Sequence, residues 1–137
     1  MMYLLDTNAC IALINGKPPT VRSRFQRVVD KGGQVNVSST VIYELWYGVA
    51  KSKQKEGNTN RLDVFLSGPI DILPFDEEDA KAAGRVRAEI EAVGRPIGAY
   101  DLLIAGQALR HKVTLVTANT KEFQRVPGLI SEDWAKI

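Results

Sequence analysis

Apolar positions follow two rhythms along this chain. Short continuous apolar runs bounded by polar turn residues read as buried strands, and longer stretches with apolar positions three and four apart read as helices. Tyr3-Leu4-Leu5 runs straight into Asp6-Thr7-Asn8, so a first strand ends on an acid. A helix over Ala9 to Ile14 stops at the C-cap signal Asn15-Gly16. Pro18-Pro19 opens a second helix that runs to about Asp30 and is closed by Gly32-Gly33. Gln34 to Val37 alternates polar and apolar and reads as a strand. Ser38-Ser39 then caps a helix from Thr40 to about Ala50.

The second half continues the alternation. Lys53 to Asn60 is polar, contains Gly57 and reads as a mobile loop. Arg61 to Leu66 reads as a short helix closed by Gly68-Pro69, and Ile70 to Leu73 as a strand. Asp76-Glu77-Glu78-Asp79 opens a long helix that ends at Gly94. Acids are favourable in a first helical turn, so this run is read as capping and not as a metal site. Gly98 opens a helix to about Arg110, and Val113 to Val116 is a strand ending at Thr117-Ala118-Asn119. Lys121 to Arg125 is one helical turn, and Leu129-Ile130 a last short strand. Strands alternating with helices predict one α/β domain over residues 1–137, with a mainly parallel central β-sheet flanked by α-helices.

Composition narrows the class. With 137 residues and 45% hydrophobic content, the chain can bury a real core. No apolar run approaches the ~20 residues needed to cross a membrane, and Met1 to Leu5 lacks a basic leader. The single cysteine, Cys10, sits among Ala9, Ile11 and Ala12 and reads as a buried thiol. A cytoplasmic protein is expected. The net charge of +2 hides an asymmetry. Lys17 to Arg61 holds nine basic and three acidic residues, a balance of +6, while the chain from Leu62 onward has −3. A basic region beside clustered acids suits a phosphate-backbone binder, although two solvated helix faces would give the same balance.

Three acids lie in apolar surroundings. Asp6 stands at a strand end, where open α/β sheets bind ligands, and it is also a good helix cap. Glu44 lies mid-helix on a narrow stripe of Thr40, Glu44, Gly48 and Lys51, so a half-buried carboxylate there needs a partner. Asp101 lies in a first turn between Gly98 and Ala105, and the helix dipole accounts for it as well as chemistry does. Asn119 occupies the position on its strand that Asp6 occupies on the first, so the two are expected to be neighbours, with Asn119 in the catalytic set beside Asp6, Glu44 and Asp101. Converging carboxylates repel by about 4 kcal/mol at ~4 Å and an effective dielectric of ~20, and a divalent cation relieves this. All-oxygen ligands favour Mg²⁺ or Mn²⁺. The only histidine, His111, follows Arg110 at a helix end and reads as exposed and idle. Carboxylate-bound Mg²⁺ beside a basic surface points to phosphodiester hydrolysis, with Lys51, Lys53, Lys55 and Arg61 as candidate phosphate contacts.

At Tyr3-Leu4-Leu5-Asp6-Thr7-Asn8, Val41 to Gly48, Gly94-Arg95-Pro96-Ile97-Gly98 through Asp101 to Ala105, and Leu115 to Phe123, the chain resembles the PIN-domain ribonucleases, and more closely their VapC toxins. The tail from Val126 to Trp134 also fits. The resemblance implies a PIN-like fold and a Mg²⁺-dependent endoribonuclease acting on structured RNA such as tRNA or rRNA loops. It implies that Asp6, Glu44 and Asp101 are metal-binding acids, a cognate VapB-type antitoxin as inhibitor, and a homodimer. Many relatives carry a fourth acid where this chain has Asn119, which puts a second tightly held metal in doubt. Glu122, one turn on, is the nearest further acid, but it is not counted among the site residues. Two rival readings stand. A phosphotransfer enzyme with Asp6 as nucleophile needs an acid where Asn8 stands. A non-catalytic module that binds RNA or a partner would tolerate Asn119. The antitoxin is expected on the first helices, around Trp46 and Tyr47, although such aromatics more often belong to a core or a dimer interface.

Overall fold

The computed structural model describes residues 1–136. Its elements are β1 (Met2–Leu5), α1 (Thr7–Asn15), α2 (Pro19–Asp30), β2 (Gln34–Ser38), α3 (Ser39–Lys51), α4 (Lys55–Leu66), β3 (Asp71–Leu73), α5 (Glu77–Ala92), α6 (Ala99–His111), β4 (Thr114–Val116), α7 (Thr120–Phe123) and β5 (Ser131–Glu132). The five strands form one sheet in the order β3-β2-β1-β4-β5, and every pairing is parallel. Parallel strands covered on both faces read as near-continuous apolar runs. Accordingly Leu4, Leu5, Val37, Leu115 and Val116 are almost wholly buried.

Register decides where chemistry can occur. Leu5 lies opposite Val37 on one side and Val116 on the other, so β1, β2 and β4 end at the same level. The chain moves outward from β1 to β2 and β3 on one side, and β4 and β5 fill the other. The strand order therefore reverses beside β1, and a crevice opens at the carboxyl ends of β1 and β4. Asp6 is the first residue beyond β1, and its backbone N–H donates to Val116 O at 3.0 Å.

The helices follow the sequence pattern with three corrections. The stretch Lys53 to Asn60, expected as a loop, mostly belongs to α4, which begins at Lys55 and buries Leu62. Its first two turns are polar because only its later residues Leu62, Phe65 and Leu66 reach the core. The last strand is Ser131–Glu132, not Leu129-Ile130. Thr117 N–H donates to Glu132 O at 2.9 Å, and Leu115 N–H donates to Ile130 O at the same distance. His111, expected to be exposed and idle, is half-buried, with Nε2 3.2 Å from Asp79 Oδ1.

The acidic run at the start of α5 does cap its helix: Asp76 and Asp79 form a reciprocal capping box. Asp79 has a second role that its local sequence does not signal. It is fully buried and accepts from Arg110 Nη1 at 2.9 Å and from Gln107 Nε2 at 3.1 Å, both on α6. The two helices approach closely because Gly106 has no side chain. A Cβ there would lie 2.5 Å from the Ala83 backbone. No helix among the described residues is long and apolar enough to cross a membrane.

Candidate active site

The site is assembled from the turn after β1, the middle of α3 and the first turn of α6. Asp6 is buried and does what a cap does: its Oδ1 accepts from the Ala9 N–H at 2.7 Å. The same carboxyl hydrogen-bonds the side chain of buried Thr117, at the end of β4. Thr7, the next residue, donates its hydroxyl to Glu44 Oε1 at 2.7 Å. This meets the need that Glu44 shows in the sequence for a hydrogen-bond partner, and it ties α3 to α1. Asp6, Glu44 and Asp101 all face one small cleft of about 150 Å³, together with Thr7, Asn8 and Tyr100.

The cleft is electrostatically loaded. Burial pushes the Asp6 carboxyl above the usual carboxylate range. The hydrogen bonds from Thr117 and Ala9 pull it back, while Glu44 and Asp133 push it further up. Asp101 is pushed up to about 6, first by its partial burial, then by Glu122, Asp6 and Glu44, and by a hydrogen bond shared with Glu122. As the side chains stand, no three of the described His, Cys, Asp or Glu residues are close enough to chelate one ion. The acids sense each other across the cleft without touching.

Other residues singled out from the sequence fall around it. Asn119 is exposed, and its side-chain amide donates to Glu122 Oε2 instead of lining the cleft. Glu122 Oε1 accepts from the Gly98 N–H at 3.1 Å, so α7 clasps the loop that leads into α6 and Asp101. Lys51 is exposed at the end of α3, with Nζ 4.9 Å from the Tyr47 ring centre. Lys53 and Lys55 are exposed at the α3–α4 junction. Arg61 lines an apolar cavity of about 300 Å³ between α1, α3 and α4, which Glu44 also borders. Trp46 is partly buried against the core, whereas Tyr47 is exposed. Cys10 is buried, which pushes its thiol well up and leaves it unsuited to nucleophilic work.

Thr7, Thr117, Asp133 and Tyr100 were not singled out from the sequence. Thr7 and Thr117 are ordinary strand-end turn residues whose hydroxyls gain a role only when the fold brings their partners alongside. Asp133 and Tyr100 reach the site only through the tertiary fold.

The sequence pattern of the PIN domain matches residues 3–129. The chain belongs to the PIN domain family. Among PIN domain proteins it is 44% identical over 136 residues to Ribonuclease VapC2 of Rickettsia felis, covering 99% of this chain and 100% of that one. It is 42% identical over 135 residues to the tRNA(fMet)-specific endonuclease VapC of Shigella flexneri, covering 98% and 99%. Its fold matches VapBC2 from Rickettsia felis bound to a DNA fragment from its promoter, with a TM-score of 0.91, 43% identity and coverage of 98% and 99%. It also matches DNA-bound VapBC from Salmonella typhimurium, with a TM-score of 0.89, 38% identity and coverage of 98% of each chain.

Proposed function

We propose that this PIN domain is a Mg²⁺-dependent endoribonuclease and the toxin half of a type II toxin–antitoxin pair, acting on structured RNA such as a tRNA or rRNA loop. The observation that carries the reading is a cleft faced by three carboxylates, with Asp101 pushed up to about 6, at the reversal point of the sheet. The likeness to proteins named as ribonucleases and as a tRNA-specific endonuclease supports it.

The donor set of the cleft fits Mg²⁺ or Mn²⁺: its side-chain donors are all oxygens or an amide, with three carboxylates beside the Tyr100 phenol, and it has neither a thiol nor an imidazole. Asp6 and Asp101 would hold the ion directly, and Glu44 would hold it or its water. Once bound, the ion supplies Lewis-acid stabilisation of charge at phosphorus and lowers the pKa of the attacking water. The chain's own residues supply the positioning. Ala9 and Thr117 fix the Asp6 carboxyl, and Thr7 fixes Glu44 Oε1, leaving Oε2 to orient the water. Glu122, held by Asn119 and the Gly98 N–H, places a further carboxyl group beside Asp101.

The test is cleavage of total bacterial RNA by the purified chain with Mg²⁺ or with EDTA. Asp6→Asn keeps an acceptor for the α1 cap but removes the charge. Discrete fragments that require both Mg²⁺ and Asp6 are expected, with 5′-phosphate and 3′-hydroxyl ends. Ends carrying 2′,3′-cyclic phosphate would overturn the water mechanism, since they require attack by the ribose 2′-hydroxyl. The antitoxin reading rests on the VapBC complexes among the relatives and on the apolar cavity bordered by Ile11, Ile14, Val49 and Leu62. Ile14→Asp should weaken capture of a VapB-type partner and leave metal-dependent cleavage intact.

A further inference from the structure

Three of the chain's four tyrosines form an exposed cluster beside the acids. Tyr43 and Tyr47 are one turn apart on α3, the helix that carries Glu44, and are 56% and 57% exposed. Lys51 follows after another turn and places Nζ 4.9 Å from the Tyr47 ring centre. Tyr100 is 46% exposed and precedes Asp101 on α6. Its ring centre lies 5.9 Å from that of Tyr43, with the planes tilted by 38° and the hydroxyls 3.5 Å apart. Tyrosines normally bury their ring faces and leave only the hydroxyl wet. The fourth, Tyr3, is buried, packed edge-on against Trp134 with its hydroxyl donating to Met1 Sδ.

The cluster is continuous with the cleft, because Tyr100 lines it together with Asp6, Glu44 and Asp101. A polymer reaching the acids from the α3 side must cross these rings. An ammonium above the last ring adds a site for a backbone phosphate, and it makes the stripe complementary to an anionic chain with flat, apolar faces.

We propose that Tyr43, Tyr47 and Tyr100 stack unpaired bases of RNA next to the phosphate delivered to the acids, with Lys51 on a neighbouring phosphate, so that the chain selects single-stranded RNA. The proposal rests on the ribonuclease reading above and adds to it how the substrate is recognised. Stacking needs a bare base face, which a duplex covers with the neighbouring pairs. Rings one helical turn apart, about 5.4 Å, are wider than the ~3.4 Å between stacked bases, so they fit a strand pulled out of its stack. Recognition of this kind is tolerant of sequence, since every base has a face.

The test is fluorescence anisotropy in EDTA with a short unpaired RNA oligonucleotide of mixed sequence, and with the same oligonucleotide annealed to its complement. A 2-aminopurine version of the unpaired strand reports stacking directly. Wild type should prefer the unpaired strand and quench 2-aminopurine. Tyr43→Ala and Tyr47→Ala should each weaken that binding about tenfold and lose quenching, with little change on the duplex. Tyr43→Phe and Tyr47→Phe should retain binding, because the ring face acts and not the hydroxyl.

Ala variants that bind the unpaired strand like wild type would overturn the proposal, as would equal losses on both RNAs or Phe variants that fail like Ala. Sedimentation of the same proteins covers a rival occupant. If the Ala variants turn a wild-type dimer into a monomer, the stripe is a contact between copies and the proposal falls. Wild type that binds neither RNA would overturn the proposal, and wild type that also fails to cleave RNA in Mg²⁺ would overturn the underlying ribonuclease reading as well, which separates the two failures.

Discussion

Asp101 is pushed up to about 6 because folding takes it partly out of water and places it near Glu122, Asp6 and Glu44. Its folded pKa lies above the ordinary carboxylate value of 3.8, so the folded state holds the proton more tightly than the unfolded chain. The metal-free protein should therefore lose stability as pH rises from about 4 to about 6. The group is half-buried, so screening leaves an effect of about 1 kcal/mol, or ~3 °C in melting temperature. Asp101→Asn should raise the melting temperature in EDTA at neutral pH by that amount and flatten its pH dependence. Mg²⁺ should raise the melting temperature of wild type at neutral pH, much less at about pH 5 where the proton competes, and not at all in the variant. Thermal melts across pH check all three. Asp6, Glu44 and Asp101 were legible because each is an acid set among apolar residues. The hydroxyls that hold two of them were not, since Thr7 and Thr117 are ordinary turn residues until the fold brings β4 beside β1 and α3 beside α1.

Elements were legible where a single periodicity ran through them. The strands β1, β2 and β4 and the helices α3, α5 and α6 have apolar faces that settle the assignment. In α4 the local pattern is polar for two turns, and only tertiary burial of Leu62, Phe65 and Leu66 makes a helix of it. Asp79 was legible as a cap and not as a buried ion-pair partner, because Arg110 arrives from 31 residues away. Removing that carboxylate leaves Arg110 and Gln107 facing a buried vacancy. Asp79→Ala should cost about 3 kcal/mol, whereas Asp76→Ala, at the exposed half of the same capping box, should cost about 1 kcal/mol. Urea denaturation of both variants is the measurement. Equal losses would mean that Asp79 acts only as a cap.

Over the whole molecule, the fold and the uneven charge divide the work. The sheet order brings Asp6 and Thr117 to the reversal point, and α3 and α6 add Glu44 and Asp101, so the negative charge of the site is concentrated in one cleft. The positive balance of Lys17 to Arg61 lies outside it, with Lys51, Lys53, Lys55 and Arg61 exposed along the end of α3 and on α4. If those cations hold RNA phosphates, binding should weaken linearly in log salt, by ~0.7 per phosphate neutralised on a single strand. Reversing Lys51, Lys53 and Lys55 to Glu should then lower the salt slope by about 2 and weaken binding of all sequences alike. Mg²⁺ affinity, read from the metal-induced rise in melting temperature, should barely change, because exposed charges beyond a Debye length of about 8 Å are screened from the cleft. An unchanged salt slope would move the phosphate track to another face, such as Arg22, Arg24 and Arg27 on α2. It would leave the acids in place.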